Sequence, residues 1–243
     1  MASPLHYDHP PIVEAVIDVK FDEALPEKEF HRLRDRFKTN FPSVEEKKAI
    51  HVELTAQGVV TNSTPAGFKM TAKNAVDLVL INQDSFGTER LAPYDRWENL
   101  IAAAKANFDL FTKVVGRKKV VRLGVRFINR IDIPKSKMED RPLTDFITLG
   151  IDLPGGLAKQ RVGHTLAVSF IEASTGAKVV LQSGHVLPVL LDHISYTLDI
   201  DASWDHDVSN RIDEMWDSVE LLRTAKNACF ESCITDELRV LFR

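Results

Sequence analysis

Three arginines spaced by four residues give the first indication of chemistry in this chain. Arg122, Arg126 and Arg130 lie in the segment 117–133, in which apolar and polar residues alternate. Side chains of a strand point to opposite faces with a period of two, so this segment is predicted to be a strand with one apolar and one arginine-bearing face. The planar guanidinium group suits oxyanions. This arginine face could therefore bind a phosphorylated ligand, a carboxylate ligand or nucleic acid.

The same arginines could instead serve the fold. An earlier segment, 12–21, also alternates, and its polar face carries two acids with the same spacing of four. If the two predicted strands are neighbours, cross-strand ion pairs between the acids and the arginines follow. We expect this pairing ahead of ligand binding, although an acidic row could also orient an arginine row beneath a pocket. The candidate ligand or partner face consists of Arg122, Arg126, Arg130, Glu14 and Asp18.

An acidic segment, 199–207, is a second candidate because clustered carboxylates beside a histidine can hold a divalent metal. The spacing matches no recognised metal motif. The acids at 205 and 207, with Ser209, are more typical of residues that cap a following helix and meet its positive end. Asp199 and Asp201 would then lie on the polar face of a strand. We expect no metal site here.

Histidines and cysteines are weaker candidates. His164, His185 and His193 could transfer protons, but no nucleophile motif accompanies them, so we expect solvated histidines at strand edges. Cys229 and Cys233 lack the further ligands that a metal needs, and a helix break is expected just before the second cysteine. We expect both to be small core residues. The sequence therefore predicts no catalytic residue, no metal and no cofactor.

The elements that must position these residues are strands and amphipathic helices. The predicted strands cover 12–21, 51–60, 67–73, 77–83, 117–133, 164–172, 177–183 and 193–201. The predicted helices begin at Pro26 and near Tyr94, run over 209–227, and end the chain over 236–242 with Thr235 as a cap. Trp97, Trp204 and Trp216 are expected to anchor a core or an interface.

Both halves of the chain run through strands and then a tryptophan-bearing helix. We therefore expect an α+β fold in which two long amphipathic helices pack on antiparallel sheet, organised as two similar halves. The predicted halves are 1–135 and 136–243, with one continuous domain as the alternative. A length of 243 residues with 44% hydrophobic residues suits either arrangement.

Charge and hydropathy narrow the function. The net charge of -4 gives no general attraction to nucleic acid or to anionic membranes. No apolar leader and no run of about 18 apolar residues is present, so we expect no membrane association. Two cysteines do not make a disulfide scaffold, which indicates a reducing, cytoplasmic setting.

Four phrases, taken together and in this order, resemble an uncharacterised bacterial family of about this length that occurs sporadically among species. They are Pro10–Ala15 (PPIVEA), Tyr94–Trp97 (YDRW), Arg122–Ile131 (RLGVRFINRI) and Asn227–Leu238, which contains FESCITDEL. The resemblance spans nearly the whole chain. Such patchy occurrence implies an accessory function that moves between species, such as toxin neutralisation or phage defence.

We therefore expect a non-enzymatic cytoplasmic binding or regulatory protein. It would recognise a protein partner, or form a homodimer, through an exposed groove or strand edge, as a partner-neutralising or defence-associated component. The alternative is an enzyme or sensor that acts on nucleic acid or a phosphorylated ligand through the arginine face. A third hypothesis is a small-molecule sensor with a pocket between sheet and helices.

Overall fold

One antiparallel sheet of nine strands organises the chain in this computed structural model, which describes residues 7–55, 58–139, 141–151, 163–206 and 208–243. The order across the sheet is β2-β3-β4-β5-β1-β6-β9-β8-β7. The predicted α+β class with antiparallel sheet is confirmed. The strands are β1 (Ile12–Phe21), β2 (Ser43–Thr55), β3 (Gly58–Thr71), β4 (Asp77–Asn82), β5 (Ser85–Leu91), β6 (Val120–Pro134), β7 (Thr165–Ile171), β8 (Lys178–Val186) and β9 (His193–Trp204).

Five α-helices accompany the sheet in the described ranges. They are α1 (Glu27–Phe37), α2 (Trp97–Val115), α3 (Lys135–Met138), α4 (Ile212–Cys233) and α5 (Asp236–Arg239), and short 3-10 turns cover Leu143–Asp145 and Val240–Phe242. Gly116 ends α2 with φ +78°, a left-handed conformation that glycine adopts without steric cost. None of the described helices combines the length and the apolarity needed to span a membrane.

The core lies between the helices and one face of the sheet. Leu123, Val125 and Phe127 of β6 alternate toward this face and are at most 2% exposed. The ring of Phe111 on α2 stacks on that of Phe21 on β1, with the centroids 5.0 Å apart. Because side chains alternate along a strand, Arg122, Arg126 and Arg130 of β6 point to the opposite face.

The long helix α4 differs from its prediction at both ends. It begins at Ile212 rather than at Ser209 and continues to Cys233, six residues beyond Asn227. The predicted break near Ser232 is wrong. The hydroxyl of Ser232 donates a hydrogen bond to the carbonyl oxygen of Ala228 at 2.8 Å, one turn earlier in the same helix. A serine whose side chain is satisfied in this way does not have to end a helix.

No strand is predicted over β5, although it lies next to the central strand β1. The sequence Ser85–Leu91 contains Gly87 and Glu89, which interrupt a pattern of alternating apolar residues. Glu89 is only 2% exposed and lies 3.4 Å from the Nζ atom of Lys69 on β3. This tertiary ion pair lets a charged residue occupy a buried strand, and strand propensity alone cannot predict it.

The strand β6 joins the two segments that the sequence predicts as halves. β6 pairs with β1 on one side and with β9 on the other. The residues of 1–135 and of 136–243 therefore contribute to the same sheet, and β6 ends next to the predicted boundary.

Candidate functional site

Ion pairs engage the arginine face, on the side of the sheet opposite the core. The Nη1 atom of Arg122 lies 2.7 Å from Oδ2 of Asp18, and its Nη2 atom lies 2.8 Å from Oδ2 of Asp201. Arg126 donates two hydrogen bonds to Asp199, at 2.8 and 2.5 Å. Burial disfavours the charge of Arg122, but the two neighbouring carboxylates outweigh it and raise its pKa.

The acids of β1 contribute less to this face than the sequence predicts. Asp18 pairs with an arginine as expected, but Glu14 has no ion-pair partner within 4.0 Å in the described ranges. Burial, followed by the charge of Glu89, raises the pKa of Glu14. Two of the acids that bind these arginines, Asp199 and Asp201, come from β9, because β6 has a neighbouring strand on each side. The prediction of pairing between β6 and β1 alone is therefore incomplete.

The third arginine has mixed partners. The Nε atom of Arg130 lies 3.2 Å from Oδ1 of Asp132, and its Nη2 atom donates to the carbonyl oxygen of Leu187 at 2.9 Å and to Ser195. Each of the three guanidinium groups thus has an acceptor from the protein itself. The carboxylates around them outnumber the arginines, and are Glu14, Asp18, Asp132, Asp199 and Asp201.

The close approach of Arg122 to Asp18 requires a glycine between them. Gly124 lies opposite Asp18 in the β1–β6 register. A Cβ atom at this position would collide with the Asp18 carboxylate and with the Arg122 guanidinium group. The glycine in this strand therefore makes room for the ion pair.

The acidic segment 199–207 divides between two environments. Asp199 and Asp201 accept hydrogen bonds from arginines, while Asp205 lies 3.9 Å from Lys178 and 3.2 Å from His206. Residue 207 lies outside the described ranges, so its predicted role as a cap or ligand is not addressed. Within those ranges, no three histidine, cysteine, aspartate or glutamate residues are grouped so that they could hold a metal.

The three candidate histidines lie in or next to β7, β8 and β9, and the two cysteines lie on α4. The Nε2 atom of His164 lies 2.9 Å from the hydroxyl oxygen of Tyr196, and the ring centroids of His164 and His185 are 5.6 Å apart. His193 begins β9, opposite Pro134. The two cysteines are buried free thiols one turn apart on α4, in agreement with their prediction as core residues.

A cavity of about 310 Å³ lies between β6, α4, the start of α2 and the segment that leads into β1. Its position is the one that the small-molecule hypothesis requires, between sheet and helices. All four phrases that carry the family resemblance contribute to its wall. The lining residues are Tyr7, Pro10, Pro11, Ile12, Tyr94, Asp95, Arg96, Trp97, Glu98, Phe127, Asn129, Arg223, Lys226, Asn227, Phe230 and Glu231.

Lys226 is the exceptional residue of this cavity. It is 7% exposed, and its Nζ atom lies 3.8 Å from the centroid of the Phe127 ring. In the described ranges its amine has neither a hydrogen-bond acceptor nor a carboxylate within ion-pair distance. Buried lysines are normally paired, because an unpaired buried charge is costly. The cavity therefore contains an amine whose polar requirements the described protein does not meet.

The surroundings of Lys226 favour its neutral form. Burial, followed by the charge of Arg223, lowers its pKa from 10.5 to about 7. This pKa difference corresponds to a cost of on the order of 5 kcal/mol for keeping the buried amine charged. A desolvated cation–π contact, such as the one with Phe127, would favour the charged form by only about 2 kcal/mol. The effect of burial therefore prevails. The other titratable groups around the cavity and the amine are Tyr7, Tyr94, Asp95, Glu98, Cys229 and Glu231.

Two further polar groups at the cavity are held in place by neighbours. The hydroxyl of Tyr7 donates to Glu231 at 2.9 Å, and the Nε atom of Arg239 lies 2.9 Å from the same carboxylate. The guanidinium carbon of Arg223 lies 5.0 Å from the centroid of the Trp97 ring. Arg223 and Lys226 are three residues apart on α4 and so share one face of the helix.

Asn129 links the cavity to the sheet. Its Nδ2 atom donates to the carbonyl oxygen of Leu198 at 3.0 Å and so satisfies a buried backbone group. Lys226 and Arg223 were not predicted as site residues. The signal was present, because Leu222, Lys226 and Cys229 continue the three–four spacing of the buried stripe of α4. A lysine within such a stripe must lie in a core or at a cavity.

Replacing Arg122 by methionine is expected to lower the free energy of unfolding by about 2–4 kcal/mol, because Asp18 and Asp201 lose their shared counter-charge. Urea denaturation at pH 7 measures this change. The exposed Arg117→Met is the control and should change stability by less than about 0.5 kcal/mol. Equal effects of the two substitutions would show that the ion pairs do not hold the central strands together.

Replacing Lys226 by methionine is expected to stabilise the fold at pH 7 by on the order of 3 kcal/mol, because it removes a buried amine that burial destabilises. Between pH 7 and 10.5 the unfolded chain retains a proton that the folded chain has released. The stability of the unsubstituted protein should therefore rise with pH across this window, and the gap to the variant should narrow. Urea midpoints at pH 7 and 9.5 test this, with the exposed Lys105→Met as control. A gap that is independent of pH would contradict the depressed pKa.

Comparisons with known proteins add little. No protein-family model and no curated protein matches the chain. Among solved structures, the chain is similar to one described as the crystal structure of the di-domain ARO/CYC BexL from the BE-7585A biosynthetic pathway. That similarity has 11% identity and a TM-score of 0.19, over 90% of this chain and 97% of the other. A TM-score this low supports no argument about fold or function.

Proposed function

We propose that the protein binds a small molecule in the cavity between β6, α2 and α4, and that the ligand has an apolar or aromatic body and a carboxylate. The observation that carries the proposal is the buried amine of Lys226, which faces this cavity without a partner among the described residues. The protein would then belong to the predicted class of binding or regulatory proteins. It would act as a sensor or carrier.

The chemistry of the wall specifies the ligand. Tyr94, Trp97, Phe127 and Phe230 supply aromatic surface, which favours a flat apolar body. Arg223 and Lys226 supply positive charge on one face of α4, and a carboxylate between them would form charge-assisted hydrogen bonds. Such a ligand would also favour the ammonium form of Lys226, because an opposite charge raises the pKa of an amine.

The size of the cavity is compatible with this ligand. Ligand pockets usually enclose about 300–1,000 Å³, and the cavity is at the lower end of that range, at about 310 Å³. A molecule with one or two rings fits this volume better than a nucleotide or a peptide.

The arginine face is less favourable for the alternative function, in which a phosphorylated ligand or nucleic acid binds there. Its guanidinium groups already pair with Asp18, Asp199 and Asp201. A phosphate would have to displace these carboxylates and would meet their negative charge. At the cavity, by contrast, the amine of Lys226 has no acceptor among the described residues.

Isothermal titration with 2-naphthoate, and with the neutral 2-naphthylmethanol and the cationic 2-naphthylmethylamine, tests the proposed function. The carboxylate is expected to bind most tightly. Lys226→Met should weaken its binding by about 10–100-fold, because a hydrogen bond to a charged group contributes about 1.5–3 kcal/mol. Lys105→Met is the matched control, since Lys105 also lies over an aromatic ring, that of Trp216, but is exposed. The proposal is wrong if all three compounds bind alike, or if none binds.

A second candidate function, self-association, is favoured by one edge of the sheet. β7 (TLAVSFI) contains no charged residue and is largely exposed, and no further strand pairs with it in the described ranges. The other edge strand, β2, carries several charged residues, which protect an edge from pairing. Leu187 and Leu191, in the connection after β8, are 89% and 90% exposed. We propose a second copy of this chain as the occupant, because two uncharged antiparallel edges can pair about a two-fold axis without repulsion.

Light scattering after size-exclusion chromatography tests this self-association. The unsubstituted protein should elute as a dimer, and Val168→Lys on β7 should elute as a monomer, because the lysine places charge at the edge. Val44→Lys, at a comparably exposed site on β2, should remain dimeric. A monomeric unsubstituted protein would exclude the homodimer and leave a different protein partner as the remaining occupant of the edge.

The predicted two-half organisation also stays a proposal, and the strand order supports it. β1 pairs with β5, which precedes α2, and β6 pairs with β9, which precedes α4. Each unit would then consist of a central strand, a meander that returns beside it, and a helix. In this arrangement β6 opens the second unit, so the boundary would lie between α2 and β6 instead of at residue 135. The cytoplasmic location and the defence-associated role stay predictions.

A further inference from the structure

We infer that Lys226 captures its ligand covalently, as an imine with an aldehyde or ketone that also carries a carboxylate. This inference rests on the proposed small-molecule-binding function and names the class of its ligand, an oxo acid. The carbonyl carbon would meet the Nζ atom of Lys226, and the carboxylate would pair with Arg223.

The arrangement around the amine supports a reacting role rather than a purely ionic one. In the described ranges, no carboxylate lies within ion-pair distance of Lys226. The Phe127 ring and the charge of Glu231 favour the ammonium form, but burial and the charge of Arg223 outweigh them and lower the pKa of Lys226. The positive charge of Arg223 lies on the same face of α4 and disfavours a second positive charge beside it. Lysines become nucleophilic in this way when they are desolvated in an apolar pocket next to another cation.

Arg223 is suited to the carboxylate of the ligand. Its guanidinium group packs over the ring of Trp97, and its one carboxylate contact in the described ranges, with Glu220, is long at 3.4 Å. A planar guanidinium fork can bind a carboxylate with two parallel hydrogen bonds. Arg223 therefore binds the carboxylate and Lys226 forms the imine, because arginine cannot form an imine at neutral pH.

The reaction needs no oxidant, reductant or metal. The lone pair of the neutral amine attacks the carbonyl carbon, a C–N bond forms, and the electrons of the C=O double bond move to the oxygen, which takes up a proton. The nitrogen then loses a proton, and the hydroxyl of this carbinolamine is protonated and leaves as water while the C=N double bond forms. The resulting iminium loses its remaining N–H proton to give the imine, so the two protons taken up by the oxygen equal the two released by the nitrogen. The net change is the exchange of one carbonyl oxygen for the lysine nitrogen, with release of one water.

Selectivity for Lys226 over the surface lysines follows from its surroundings. With a pKa of about 7, about half of the Lys226 amines are neutral at pH 7. For an exposed lysine the neutral fraction is roughly one in two thousand. The charged and titratable groups around the cavity and the amine are Arg223, Cys229 and Glu231 on its own helix, Tyr7 before β1, and Tyr94, Asp95, Arg96 and Glu98 around the start of α2.

Reductive trapping tests the inference. The full-length protein is incubated at pH 7 with 4-carboxybenzaldehyde and sodium cyanoborohydride, which reduces an imine to a stable secondary amine, and the adducts are located by peptide mass spectrometry. We expect one adduct per chain, at Lys226. The yield should fall at least about tenfold in Lys226→Met, and Lys105→Met should retain it.

An analogue without the aldehyde group distinguishes imine formation from the proposed binding function. 4-(Hydroxymethyl)benzoate retains the ring and the carboxylate but cannot form an imine, and its binding is measured by titration calorimetry. If it binds, and Lys226→Met weakens that binding, while the aldehyde gives no adduct at Lys226, the imine is excluded and the proposed binding function stands. If neither compound reaches the cavity, both proposals fail.

A further variant shows whether the loss of the adduct results from misfolding, and the distribution of adducts shows whether the labelling is nonspecific. Lys226→Arg keeps a cation in the cavity but forms no imine under these conditions, so it should bind the hydroxymethyl analogue and yield no adduct at this position. Its thermal unfolding transition shows whether it is folded. Adducts spread over surface lysines without enrichment at Lys226 would overturn the inference.

Discussion

The structure depends on how the arginines of β6 are neutralised, because β6 lies inside the sheet with a strand on each side. Arg122 reaches Asp18 on β1 and Asp201 on β9 at the same time, so one guanidinium group ties three strands together. Arg126 adds a bidentate pair with Asp199. An arginine fork that is engaged on two sides fixes direction as well as distance. These ion pairs fix β1, β6 and β9 relative to one another, and the other six strands pair outward from these three.

The contrast between satisfied and unsatisfied charge locates the site more clearly than any sequence motif does. On the arginine face, carboxylates outnumber guanidinium groups and each arginine has an acceptor. At the cavity, on the other side of the same sheet, Lys226 is buried against Phe127 without an acceptor among the described residues. An ion pair whose partners are both present compensates the cost of burying each charge, whereas an unpaired buried amine costs stability unless a ligand offsets it.

Much of the fold could be predicted from alternation and helical spacing, because burial imposes them directly. The pattern in β1 and β6 specifies which face of each strand is buried, and Phe30, Leu33 and Phe37 define the buried face of α1. The strand β5 could not be predicted, because its buried Glu89 depends on Lys69 from another strand. The aspartates of β9 were recognised as a polar strand face, but sequence gives no indication of which strands are neighbours. The cavity was even less accessible, because its wall comes from four distant segments.

The two faces of β6 are linked through the register of this one strand. Arg126 and Phe127 are consecutive, so the residue that binds Asp199 is followed by the residue whose ring lies beneath Lys226. A slip of one residue in strand pairing would exchange the faces and place arginines in the core. The ion pairs of Arg122 with Asp18 on β1 and Asp201 on β9 would be lost in such a slip, because the acids would then lie on the other face from the arginine. In the proposed function the arginine face would therefore support ligand binding without touching the ligand, because it fixes the register that places the Phe127 ring against the buried amine.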